Sequence, residues 1–148
     1  MPYCDLRKGR YSAHGMTYHI TTVTKGRAPL CADFTLGRVV VRQIKRLQDE
    51  GHADTLCFVV MPEHLHWLMV LRGGTLSDGV RRLKGRTAQV LGRPVWQPSF
   101  YDHALREDED SRILARYIVA NPLRAGLVER IADYPLWNSV WLDGALSG

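Results

Sequence analysis

Cysteine is scarce in this chain. Cys4, Cys31 and Cys57 are odd in number, far apart and never in a Cys-x-x-Cys pair, which excludes a disulfide framework and a zinc knuckle. A reducing cytoplasm is the simplest setting for such thiols. No apolar run approaches the length that spans a bilayer, and the stretch Met1 to Arg10 has no signal-peptide core, so neither membrane insertion nor export is expected. Repeats and low-complexity tracts are missing as well. Lysine is also sparse: four residues stand against sixteen arginines in a chain of net charge +5 and pI near 9.4. Arginine offers a planar fork of donors that fits phosphate, so this bias leans toward nucleic acid, although a solvated basic surface explains the same charge. What is present is ordinary for a globular protein, 45% hydrophobic and 24% charged over 148 residues, enough to bury one core and too little for two. One domain, 1–148, is expected, with 129–148 as a packed C-terminal tail.

The periodicity predicts an order β-α-β-β-α-β-α. Tyr18 to Thr24 alternates β-branched and aromatic with polar residues and ends at Lys25-Gly26. Asp33 is a candidate N-cap for a helix with Leu36, Val39, Val40, Ile44 and Leu47 on one face, Arg38, Arg42, Lys45 and Arg46 on another, and Gly51 as its stop. Thr55 to Met61 and Leu65 to Leu71 are strands of buried type, joined through Pro62-Glu63 as an antiparallel hairpin. Thr75 and Asp78 resemble a capping box for a second helix that runs toward Gly92. Val95 to Leu105 reads as extended from Ser99. Glu107 to Asp110 suits the positive end of a third helix, whose inner face is expected to be Ile113, Leu114, Tyr117 and Ile118. The fold class that follows is α+β, a ferredoxin-like antiparallel sheet covered by helices.

Within that frame His64-Leu65-His66 is the most informative stretch. Alternate strand residues share a face, so both imidazoles point the same way while Leu65 enters the core. Two readings are open: hydrogen-bonded surface histidines, or metal ligands. Structural zinc with Cys57 as third ligand lacks a fourth, so an open site with room for substrate oxygens fits a metal better. Tyr117 and Asn121, four apart on a helix, could present a phenol and an amide together. Singly, Tyr117 reads as a core tyrosine and Asn121 as the N-cap of a short helix with Pro122 in its first position. Arg81, Arg82, Lys84 and Arg86 form a basic run that either solvates a helix face or grips phosphates. Trp96, Phe100 and Tyr101 could stack on bases or fill a core, the latter favoured for Phe100.

Three blocks bear on these choices. They are Met61-Pro62-Glu63-His64-Leu65-His66-Trp67-Leu68, then Val95-Trp96-Gln97 with Phe100-Tyr101-Asp102-His103, then Tyr117-Ile118-Val119-Ala120-Asn121-Pro122-Leu123-Arg124-Ala125-Gly126-Leu127-Val128. Together, and in this order, they resemble the signature blocks of the REP-associated tyrosine transposases, a branch of the single-tyrosine transposases named for a His-hydrophobe-His motif. Leu123 stands where a β-branched residue is common in the family. The resemblance implies a metal-dependent nuclease and strand transferase that cuts single-stranded or hairpin DNA at repetitive extragenic palindromes through a covalent 5′-phosphotyrosine. It implies Tyr117 as nucleophile, and His64, His66 and Asn121 as ligands of Mg²⁺ or Mn²⁺. DNA contacts are expected from Arg81, Arg82, Lys84, Arg86, Trp96, Tyr101, Asp102 and His103. A cytoplasmic, nucleoid-associated monomer or homodimer would follow. The competing readings are a non-catalytic nucleic-acid-binding module derived from a transposase and an RNA-recognition sheet, the latter weakened because histidines stand where stacking rings are wanted.

Overall fold

The structure, a computed structural model, describes residues 12–141; Cys4 and the tail from 142 to 148 lie outside them. Five strands form one antiparallel sheet: β1 (Thr17–Val23), β2 (Ala53–Val60), β3 (His64–Leu71), β4 (Tyr101–Ala104) and β5 (Trp137–Ser139), in the order β4-β1-β3-β2-β5. The helices are α1 (Phe34–Asp49), α2 (Leu76–Leu91), α3 (Ser111–Val119) and the single turn α4 (Asn121–Arg124). The first four strands, with α1 and α2 as crossovers, make the two interlocked split β-α-β units of a ferredoxin-like α+β fold.

Local chemistry explains the boundaries. Asp33 caps α1 by accepting from the amides of Thr35 and Leu36, Thr75 caps α2 by accepting from Asp78, and Asp110 caps α3 by accepting from Arg112. α2 ends where Gly92 takes φ +84°, a left-handed conformation that costs glycine little. Alternation along β1 and β3 sends Tyr18, Ile20, Leu65, Trp67, Met69 and Leu71 to one side, where they pack under α1 and α2 with Val40, Leu47 and Leu83. The Trp67 indole N–H donates to Thr55 Oγ1 at 3.0 Å, so its burial leaves no orphan donor.

The other side is only half covered. α3 lies over β2 and β5, packing Ala115, Ile118 and Val119 on Cys57, Val59, Met61 and Leu68. That stripe corrects the expected inner face of the third helix. Ile113 and Tyr117, 64% and 61% exposed, fall on the next row around the helix and point away from the sheet. The fourth strand is also shorter than expected, starting at Tyr101. Before it, Trp96 makes one bridge to Thr24 and is buried, and the Lys84 ammonium donates to the carbonyls of Gln97 and Ser99. The described part of the tail is tied down: the Tyr134 hydroxyl donates to the Val60 carbonyl, and β5 pairs with β2.

One buried polar side chain polices the junction of α2 and the sheet. His52 is 4% exposed, and a Cβ added at Gly79 in α2 would lie 2.4 Å from its Nε2. Alanine usually stabilises a helix by up to about 1 kcal/mol over glycine. Gly79→Ala is nevertheless expected to cost about 1–3 kcal/mol through overpacking, and His52→Ala in the same chain to recover much of it. Urea unfolding of the two single variants and the double variant measures this; a stabilised Gly79→Ala chain contradicts it. Burial first, then the Arg82 charge, holds the His52 imidazole below its ordinary value of 6.5, against the opposing pull of a Thr75 backbone hydrogen bond, Asp78 and Glu50. The unfolded chain therefore takes up a proton near pH 6.5 that the native one refuses. The contribution is complete above that pH and is lost as the pH falls below it toward the lowered native value. The acid limb of a stability-against-pH curve should flatten in His52→Gln relative to the parent; identical limbs would remove His52 from this role.

Candidate nuclease site

The uncovered half of the sheet carries the candidate site. β3 starts directly after a corner held by backbone bonds: the amides of Thr24 and Cys31 donate to the carbonyls of Glu63 and Pro62, and Met61 N–H donates to His64 O. From this fixed corner, alternation turns His64 and His66 onto the open face while Leu65 and Trp67 enter the core. The two rings meet edge to face with centroids 4.8 Å apart. His64 Nδ1 lies 2.9 Å from Glu63 Oε1. His66 faces Thr21 across β1, and its Nδ1 lies 3.2 Å from Thr21 Oγ1 and 3.0 Å from His19 Nε2.

Both imidazoles thus have Nδ1 engaged and keep Nε2 for another partner, and a carboxylate behind one of them is the outer-shell arrangement that orients a ligating histidine. Burial, and then the charges of His64, His19 and Arg124, push His66 down to about 3, so the ring is neutral and its lone pair available near neutral pH. This donor set fits a divalent cation. Among the described residues no three His, Cys, Asp or Glu side chains form a ready cage, so further ligands must come from elsewhere. Cys57 is not a candidate: it lies beneath α3, and burial pushes its thiol up to about 12.

The phenol and the amide come from the corner between α3 and α4. Tyr117 stands outside the packed stripe of α3. α3 ends at Val119, and α4 begins immediately with Asn121, with Ala120 as the capping residue and no side-chain cap. Pro122 is therefore the second helical residue, and the expectation of Asn121 as N-cap is corrected: its carboxamide is left out of capping. Arg124 locks the corner. Its guanidinium carbon lies 3.8 Å from the centre of the Tyr117 ring, and Nη1 donates to the Tyr117 carbonyl at 2.7 Å. The same charge is one of those acting on His66, so Arg124 connects the tyrosine to the histidine face.

The residues expected to touch DNA divide. Tyr101 and His103 lie on the histidine face, opposite Thr21 and His19 in register, with Tyr101 60% exposed and His103 Nε2 3.0 Å from both Glu109 oxygens. Asp102 alternates to the other side, opposite Ile20. Arg81, Arg82, Lys84 and Arg86 sit on α2, which packs on the far face of the sheet. There Arg81 pairs with Asp78, Arg86 holds Glu50 through two bonds, and Lys84 braces the loop before β4. Trp96 is core, as is Phe100. Sequence reasoning missed His19, Thr21, Glu63 and Arg124 as site residues. The alternation Thr17-His19-Thr21 on a strand was a readable signal for the first two; seven positions and a helix break separate Arg124 from Tyr117, so no single period links them.

With fold and site in view, comparisons with known proteins agree with each other. The family described as Transposase IS200 like matches residues 12–121. A REP-associated tyrosine transposase of Escherichia coli K12 is 30% identical over 131 residues, 85% of this chain and 78% of that protein. A Haemophilus influenzae protein provisionally given the same designation is 27% identical over 99 residues, 55% of this chain and 56% of its own length. Among solved structures, a REP-associated tyrosine transposase bound to a REP hairpin superposes with a TM-score of 0.78 at 27% identity, covering 92% of this chain and 83% of that one. A provisionally designated transposase of Deinococcus radiodurans R1 shares the fold at a TM-score of 0.54 and 21% identity, over 77% and 95% of the respective chains. The chain belongs to the IS200-like transposases and, within them, to the REP-associated tyrosine transposases. Among the described residues no helix is long and apolar enough to cross a membrane.

Proposed function

We propose that this protein is a metal-dependent nuclease and strand transferase that acts on single-stranded or hairpin DNA at repetitive extragenic palindromes, with Tyr117 as nucleophile. One observation carries the reading: the tyrosine stands exposed on α3, stacked under Arg124, while His64 and His66 share the open face of the sheet with Nδ1 of each engaged, which keeps Nε2 for a ligand. The solved relative bound to a REP hairpin supports the substrate class.

In the proposed step Tyr117 Oη attacks the scissile phosphorus in line, forming an Oη–P bond as the P–O3′ bond breaks. The phenol proton is lost to solvent or a bound base, and the departing 3′ oxygen takes up a proton. A Mg²⁺ or Mn²⁺ ion held by His64, His66 and Asn121 would supply neutralisation of charge on the non-bridging phosphate oxygens. Arg124 fixes the phenol ring by stacking and holds the turn that presents it. Glu63 and His19 fix the two imidazoles with Nε2 outward. Because the phosphotyrosine conserves the energy of the broken bond, a 3′-OH can reverse the reaction, which makes joining possible without a nucleotide cofactor. The protein would then work on chromosomal DNA in the cytoplasm.

A binding-only module needs neither an exposed tyrosine nor engaged histidines. Incubation with a hairpin oligonucleotide library and Mn²⁺ separates the two readings. The nuclease reading expects oligonucleotide covalently attached to protein and no attachment in chelator; bound but never attached hairpins in both conditions would leave only the binding module.

A further inference from the structure

Behind Tyr117, where α3 crosses the β5 edge of the sheet, lies a recess of about 300 Å³ lined by Arg112, Ala115, Arg116, Ser139 and Trp141. Arg112 and Arg116 are four apart on α3, so their guanidiniums share one side of the helix, and both residues are exposed. Neither side chain has a carboxylate within ion-pair distance among the described residues; the nearby Asp110 is occupied in capping the helix. Ser139 is opposite Cys57 in register, and Cys57 packs under α3, so the serine hydroxyl is on the α3 side of the sheet. That hydroxyl is buried, 2% exposed, and has no hydrogen-bond partner. A buried polar atom is rarely left unpaired without a reason. Two unpaired guanidiniums, a waiting hydroxyl and an indole are the donors and the stacking surface that a phosphodiester with its base requires.

We infer that this recess binds the single-stranded segment that continues from the scissile phosphate, Arg112 and Arg116 gripping its backbone and Trp141 stacking on a base. The inference rests on the reading of α3 as the helix that offers Tyr117 to a DNA strand. α3 then serves from two sides: Tyr117 on one row, and the arginine pair on the row toward β5. Crossing between them spans about one helix diameter, ~10 Å, so one strand can occupy both.

The test uses full-length chains carrying Tyr117→Phe, so that binding is read without chemistry. Two probes are compared, a hairpin with an eight-nucleotide single-stranded extension and the same hairpin without it. Arg112→Gln together with Arg116→Gln is expected to weaken binding of the extended hairpin about tenfold or more and to leave the blunt one unchanged. Its salt dependence should become shallower by roughly 0.7 for each charge removed. Trp141→Ala should give a smaller loss, again confined to the extended probe. Equal weakening of both probes, or of neither, overturns the inference. Arg112→Lys with Arg116→Lys retains charge without the fork and guards against misfolding: intermediate affinity for the extended probe supports the site, while affinity for it as low as that of the glutamine pair with the blunt probe also weakened counts against it. Loss of covalent attachment in the parent chain with the extension effect intact would fail the nuclease reading and leave this site standing.

Discussion

Tyr117→Phe should bind a hairpin oligonucleotide with unchanged affinity and form no covalent adduct, a loss of at least about 10⁴-fold in the rate of attachment. The size of the effect follows from what the hydroxyl does. If it is the atom that bonds to phosphorus, no neighbouring group can replace it, and binding energy cannot compensate a missing nucleophile. Unchanged binding follows from the structure: the ring stays stacked under Arg124, and the hydrogen bond from Arg124 is to the Tyr117 backbone carbonyl, which phenylalanine keeps. Tyr117 is largely exposed, so the substitution leaves no cavity and no orphaned partner in the core. Gel-shift titration and denaturing electrophoresis of the same samples measure both quantities. A persistent adduct would move the nucleophile elsewhere, and a parallel loss of binding would make Tyr117 a DNA contact instead.

The second large effect is expected at the histidines. His66→Ala and His64→Ala should each abolish Mn²⁺ binding measured calorimetrically and reduce adduct formation by more than the ten- to hundredfold that an outer-shell partner is typically worth, roughly. Glu63→Gln should fall within that smaller range, since it orients His64 without contacting the ion. The ordering is the informative part. His66 stands between His19 and His64, neutral and with one nitrogen engaged, so its removal takes a donor and frees His19 at once. His66 stands on the open face opposite Thr21, and cooperative thermal unfolding of the variant, read on the same samples, separates loss of a ligand from misfolding. Metal affinity unchanged in His66→Ala would remove the pair from the ligand set.

How far the sequence revealed this arrangement depends on the length of each element. α1 was legible at both ends, because an aspartate cap and a glycine stop bracket sixteen residues of strong 3.6-residue periodicity. The β2–β3 hairpin was legible because two apolar runs flank Pro62-Glu63, and alternation on β3 gave the shared face of His64 and His66. α3 was not. Apolar side chains at 113, 114, 115, 117, 118 and 119 surround most of its nine residues, so periodicity alone could not select the buried stripe. Tertiary packing decided it: small Ala115 lets the helix approach β2, and that rotation is what places Tyr117 outside. β5 is three residues long and gave no signal. For the site, motif blocks named the tyrosine and the histidine pair; alternation on β1 put His19 and Thr21 on one face, but cross-strand register is what sets them beside His66, and the turn between α3 and α4 is what sets Arg124 on Tyr117.

The most direct test is the location of attached DNA. After incubation with Mn²⁺ and a hairpin bearing single-stranded flanks, the chain is digested with trypsin and the nucleotide-bearing peptide sequenced by mass spectrometry. Cleavage after Arg116 and Arg124 isolates Tyr117 through Arg124, a peptide with one tyrosine. The account predicts a 5′-phosphate ester on that residue. An ester on any other side chain would contradict it.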